Sequence, residues 1–155
     1  MSTPSPLVRP ASLETSIKLW IAAAAISLVH SFLQLVNTNP MIDELSRRTG
    51  ISLEQAKTSV TGVGSVVFGI VIIAVWLAVV WQMRAGRAWA RIVLTVLGGL
   101  VAVLGLVGLF GASLMIAVGF LGVLDLLVSV LYIAALAGAI YYQFRPDANQ
   151  FFARP

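Results

Sequence analysis

Three long stretches of the chain are almost free of formal charge: Leu19–Ile42, Thr58–Met83 and Ile92–Phe144, the last broken only by Asp125. A bilayer hydrocarbon core about 30 Å thick is crossed by roughly 20 apolar helical residues. The first two stretches each suit one crossing, and the third is long enough for two joined by a tight turn. The expected fold is therefore all-α: a four-helix transmembrane bundle with a short external helical hairpin between spans 1 and 2.

Composition agrees. The chain is 59% hydrophobic and 10% charged, where a soluble domain carries roughly 25% charged residues. Its 155 residues leave room for one small bundle and no separate soluble domain. The net charge of +4 could suggest a nucleic-acid partner, but basic residues flanking spans on the cytoplasmic side produce the same balance. No nucleic-acid partner is expected. There is no cysteine, which excludes disulfides, thiolate metal sites and cysteine nucleophiles. Ala22–Ala25 sit at the start of the first apolar run, whereas a signal-peptide cleavage site belongs after its end. The first span is expected to be retained.

Residues 1–16, which open with the Pro- and Ser-rich Met1–Pro10, are expected to form a disordered cytoplasmic N-terminus. Spans are expected at about 17–36, 60–82, 88–110 and 118–142, with an external loop at 37–59 and a cytoplasmic tail at 143–155. The third and fourth spans should turn around Gly111–Ala117. None of the six prolines falls inside these spans, while twelve of the thirteen glycines lie between positions 62 and 138. Helices in lipid associate by close backbone approach at small residues. Gly69 with Ser65, Gly98 with Ala102, Gly108 with Ala112 and Gly138 with Ala134 are small-xxx-small pairs that mark packing faces.

Orientation follows from the basic residues of the short loops. Arg9, Lys18, Arg84, Arg87, Arg91, Arg145 and Arg154 fall on one side; Arg47, Arg48 and Lys57 fall on the other, offset by Asp43, Glu44 and Glu54. The richer side should be cytoplasmic, which places both termini inside. Trp20, Trp81, Trp89, Tyr141 and Tyr142 should form an aromatic belt at that same interface.

In the external loop, Asn39 can cap a helix opened by Pro40 and closed by Gly50. Ser52 and Gln55 then form a capping-box pattern for a second helix. The segment IDELSRRTGISLEQAKTSV resembles a helix-turn-helix. The charge count puts it outside the cell, so the hairpin is expected to lie on the outer bilayer surface or cap the bundle.

Ionisable groups inside spans are costly and are candidates for function. Ser27, His30, Ser31 and Gln34 share one helical face. At 1.5 Å per residue, Gln34 is about 21 Å from Trp20, Asp125 about 24 Å from Tyr141 and Ser65 about 24 Å from Trp81. His30, Gln34, Ser65, Asp125 and Ser129 are thus expected to meet in the outer half of the membrane. Such a cluster reads either as interhelical glue or as a proton-linked or ligand-binding site centred on Asp125.

MRAGRAWAR joins the second and third spans, and Gly86 can end one helix there. Trp20, Trp81, Arg84, Arg87, Trp89 and Arg91 are the candidates for contact with anionic headgroups. RAGRAWARIVLTVLG and the tail FRPDANQFF resemble segments of small four-span membrane proteins of high-GC Gram-positive bacteria, over about Val60–Phe152. The resemblance implies a plasma-membrane location and a four-span fold, and it implies no catalytic residue.

Two functions compete. An accessory or structural subunit, packed against itself or a larger membrane-protein partner, follows from the small-residue faces and the lack of chemistry. A small oligomeric transporter or proton-coupled exporter follows from Asp125 and His30. An enzyme is not expected: one histidine, few acids and no cysteine assemble neither a metal site of ordinary ligand count nor a catalytic triad. No cofactor or metal is expected.

Overall fold

The computed structural model describes residues 9–61 and 66–153. Every regular element among them is a helix: α1 (Ala11–Thr49), α2 (Leu53–Thr61), α3 (Val66–Arg84), α4 (Ala88–Gly108), a 3-10 turn (Leu109–Gly111), α5 (Ala112–Ala117), α6 (Phe120–Gln143) and α7 (Pro146–Phe152). Three helical segments are long and apolar enough to cross a membrane: α1, the run from Ala88 to Ala117, and α6. The apolar part of α3, Gly69–Arg84, is shorter.

Helix α1 runs for 39 residues, about 58 Å. It begins at Ala11, so residues 11–16 are helical rather than disordered. Leu13, Ser16, Ile17, Trp20 and Ala24 recur at intervals of three and four and are all buried, which extends the packed stripe back to the helix start. The other end departs from expectation as well. Asn39 and Pro40 do not cap and open a new helix; they lie inside α1. Pro40 has no N–H for the Val36 carbonyl, yet the helix continues because it is held on both sides of the proline. Asn37 donates from Nδ2 to the Leu121 carbonyl at 3.2 Å, and Ile42 is buried. Tertiary packing outweighs the local stop signal.

Gly50 ends α1 in the left-handed region at φ +70°, its N–H donating to the Ser46 carbonyl at 2.9 Å. A capping box then opens α2: Gln55 N–H donates to Ser52 Oγ at 3.3 Å, and Ser52 N–H donates to Gln55 Oε1 at 3.1 Å. The segment expected as a hairpin is therefore the continuation of α1 with α2 folded back on it.

Helix α1 packs on both α3 and α6, and α4 packs on the same two. The buried apolar cluster joins Leu13, Ile17 and Trp20 of α1, Val80 and Met83 of α3, Ala90 and Leu94 of α4, Ala135, Leu136 and Ala139 of α6, and Ala148 of α7. These come from the first halves of α1 and α4 and the last halves of α3 and α6. The close-packed core thus sits at the end where the first and last helices meet, the terminal end. At the opposite, loop end, Phe110 and Phe120 are 90% and 80% exposed.

Trp20 corrects another expectation. It does not lie in a lipid-facing belt: it is 0% exposed, edge-on to Trp76 with centroids 5.1 Å apart. Its ring occupies the space that Gly98 leaves, and a Cβ there would stand 2.5 Å from the indole. Among the other packing candidates, Ala102 is half-buried against the core cluster, and a Cβ on Gly138 would meet Leu19 at 3.2 Å. Gly69 and Gly108 face open space, and Ala112 is half-buried.

The turn expected at Gly111–Ala117 is helical in fact. The chain reverses at Val118–Gly119, where Gly119 has φ +96°. Gly122 follows so close to the Met115 carbonyl that no Cβ fits.

Gly98→Ala should cost about 1–3 kcal/mol through overpacking against Trp20. Gly108→Ala should change stability by less than about 0.5 kcal/mol. Unfolding of the two variants in detergent, followed by circular dichroism, checks the contrast.

Candidate functional site

Midway toward the loop end, α1 and α6 turn polar side chains toward each other. Asp125 is 0% exposed. His30 Nδ1 lies 2.8 Å from its Oδ1, and Gln34 Nε2 donates to its Oδ2 at 3.3 Å. Ser129 Oγ lies 3.3 Å from His30 Nδ1 and donates to the Asp125 backbone carbonyl at 2.8 Å. Four of the five residues expected to meet are therefore in contact. Ser65, the fifth, lies outside the described residues. Ser27 and Ser31, on the same face of α1, donate to carbonyls of their own helix and take no part.

The hydrogen-bond pattern assigns the protons. A Ser129 hydroxyl donating to the backbone carbonyl leaves its oxygen as an acceptor, which matches the His30 tautomer protonated at Nδ1. Gln34 donates to the other carboxylate oxygen. The two oxygens of Asp125 thus face His30 Nδ1 and Gln34 Nε2. The pairing is incomplete, however. Oδ1 has no donor of full hydrogen-bond geometry among the described residues, so the 2.8 Å approach of His30 Nδ1 is a close contact rather than an aligned bond. A buried acceptor left short in this way costs on the order of 1–3 kcal/mol.

Beside the cluster is a partly open cavity of about 390 Å³, bordered by His30, Gln34, Ser129 and Tyr132 and walled by apolar side chains including Val101, Leu104 and Ile133. It lies between α1 and α6 on one side and α4 on the other. Asp125 stands behind His30 and Gln34.

Sequence reasoning missed two members of this region. Asn37 continues the face of His30 and Gln34, and is buried on the Leu121 carbonyl. Tyr132 lies seven residues beyond Asp125, on the same side of α6 as Ser129. Helical spacing signalled both.

The proposed interfacial residues divide. Trp81 is 67% exposed, Trp89 is exposed, and Arg84 lies over the Trp81 ring at 5.3 Å. Arg87 is also exposed. Trp20 is not interfacial, as described above; its Nε1 donates to buried Gln143 Oε1 at 3.2 Å. Arg91 is engaged within the protein. It donates to Asn149 Oδ1 at 2.7 Å and lies over the rings of Phe144 and Phe152, at 4.4 and 5.1 Å.

Two contacts fasten the ends. At the loop end Glu44 accepts from Arg47 and Arg48, and Arg48 reaches across to the Ser113 carbonyl at 3.1 Å. At the terminal end Ser12 N–H donates to Asp147 Oδ2 at 3.4 Å. The Ser12 hydroxyl lies against this carboxylate without full hydrogen-bond geometry to any group. That hydroxyl first, and the N–H to a lesser degree, hold the Asp147 carboxyl below its ordinary value of 3.8.

Among the described residues no three His, Cys, Asp or Glu side chains converge on a metal position. Comparison with protein-family models, curated proteins and solved structures finds no match for this chain.

The His30–Asp125 contact should show a coupling of about 0.6–1.7 kcal/mol in a double-mutant cycle of His30→Ala and Asp125→Ala, measured by unfolding in detergent. Asp147 gives a pH signature. Its folded value is lowered, so its stabilising contribution is fully present above 3.8 and is lost as pH falls through the lowered value. Asp147→Asn should remove that contribution, lowering the melting temperature slightly at neutral pH, converging with the parent protein in acid and so flattening the acid limb.

Proposed function

We propose that the chain is a four-pass protein of the bacterial plasma membrane, both termini cytoplasmic, serving as an accessory or structural subunit that packs against itself or a larger envelope complex. We assign the remaining pass to α3, most of which lies in the uncharged stretch Thr58–Met83. The packing of α1 and α4 on both α3 and α6 supports a four-helix bundle. The seven-to-three division of Lys and Arg supports its orientation. The segments RAGRAWARIVLTVLG and FRPDANQFF support a kinship with small four-span proteins of high-GC Gram-positive bacteria.

One observation carries the subunit role: Gly69 on α3 faces open space, as does Gly108 on α4 at the edge of the cavity described above. Inside the bundle, Gly98 and Gly138 are filled by side chains of neighbouring helices. Unfilled glycines on an apolar helix offer another helix a close backbone approach.

The absence of native cysteine makes the test clean. Arg47→Cys should react with an impermeant maleimide in intact cells, and Gln150→Cys, at an exposed position of α7, only after lysis. Gly108→Cys should crosslink to a second copy or to a stoichiometric partner identified by mass spectrometry. A chain that stays monomeric and alone under crosslinking at both Gly69→Cys and Gly108→Cys overturns the subunit role.

A second reading has its own support. The Asp125 cluster borders a cavity rather than closing on itself, which favours a small oligomeric transporter or proton-coupled exporter. Dissipation of a pH gradient in liposomes, abolished by Asp125→Asn, is the expected result. An unchanged gradient removes this reading.

A further inference from the structure

The polar groups around the cavity are one-sided in their hydrogen bonding. With Nδ1 of His30 donating toward Asp125 and Ser129, a neutral imidazole turns its other nitrogen outward as an acceptor, and no described residue donates to Nε2. Gln34 spends an N–H on Asp125, and its Oε1 receives no donor among the described residues. The Ser129 hydrogen is already committed to a carbonyl. Behind these acceptors stands a buried carboxylate with one oxygen lacking an aligned donor. No Lys or Arg borders the cavity, and the rest of its wall is apolar. At about 390 Å³ it falls within the usual range for small-molecule pockets, roughly 300–1,000 Å³.

We propose that this cavity binds an amphiphilic organic cation: an apolar body ending in an ammonium that still carries N–H donors. The ammonium would donate to His30 Nε2 and Gln34 Oε1 under the field of Asp125, while the apolar body lies along Val101, Leu104 and Ile133. An anion would meet acceptors and a like charge. A quaternary ammonium would satisfy the charge but not the acceptors. Its apolar surroundings make lipid the natural route of entry, because such molecules partition there. The inference names a ligand for the site of the second reading above, and it requires no flux.

The test uses the full chain in phosphatidylcholine nanodiscs, with empty discs subtracted, titrated calorimetrically with n-decylammonium, n-decyltrimethylammonium and n-decyl sulfate. Saturable binding of n-decylammonium should be about tenfold or more tighter than that of either other probe. Asp125→Asn should weaken it by about tenfold or more. Val101→Trp, which fills the cavity and leaves His30, Gln34 and Asp125 unaltered, should abolish it. Circular dichroism and thermal melting identify any variant that fails to fold, and should Asp125→Asn fail, Val101→Trp decides alone. Equal binding of n-decyl sulfate, or n-decylammonium binding untouched by Val101→Trp, overturns the proposal. Saturable binding without dissipation of a pH gradient upholds it while removing the transport reading.

Discussion

Hydrocarbon offers no hydrogen bonds, so a polar side chain at membrane depth must find its partner on another helix or on its own backbone. That constraint organises the interior at two levels. Near the terminal end, Gln143 is fully buried yet accepts from Trp20 and donates to Thr95, while Ser16 donates to the Ala139 carbonyl at 2.8 Å. Nearer the loop end, Asp125 gathers His30 and Gln34. Both groups of contacts join α1 to α6, and the first also reaches α4. The hydrophobic effect gives the helices no preference for one another over lipid, so these polar ties, together with the close fit of Trp20 into Gly98, select the pairing.

The two levels differ in kind. The one near the terminal end is closed: Gln143 has partners at both ends of its amide and is fully buried, as are Trp20, Leu94 and Leu136. The one nearer the loop end is unfinished, with a carboxylate oxygen unmatched and a cavity alongside. A closed network stabilises. An unfinished one next to space is where a ligand or a proton gains most by arriving.

Much of this was legible in the sequence, for physical reasons. Charge-free length identifies lipid-soluble helices because the cost of a buried charge is large and local. The level of Asp125 with Gln34 followed from helix rise alone. What local signals could not supply was tertiary. Asn39–Pro40–Gly50 reads as a fresh helix, but Asn37 and Ile42 hold the chain helical through the proline. Gly111–Ala117 reads as a turn, but only Gly119 adopts the left-handed backbone a reversal needs. Trp20 has the composition of an interfacial residue, and nothing nearby in sequence reveals that Gly98, far along the chain, leaves room for its ring. Arg91 was legible as a basic interfacial group, while its engagement with Asn149 and two phenylalanines depends on α7 folding back. Ser65 lies outside the described residues, and its place in the cluster stays an expectation from helix rise.

The uninterrupted length of α1 has a mechanical meaning. Ser12 near its start is tied to α7, and Arg48 near its finish is tied to α5, so one stiff shaft spans the whole molecule. Tilting that shaft about the Trp20–Gly98 contact would move its two extremities in opposite directions. The longer arm, which carries His30 and Gln34, would swing farther than the shorter.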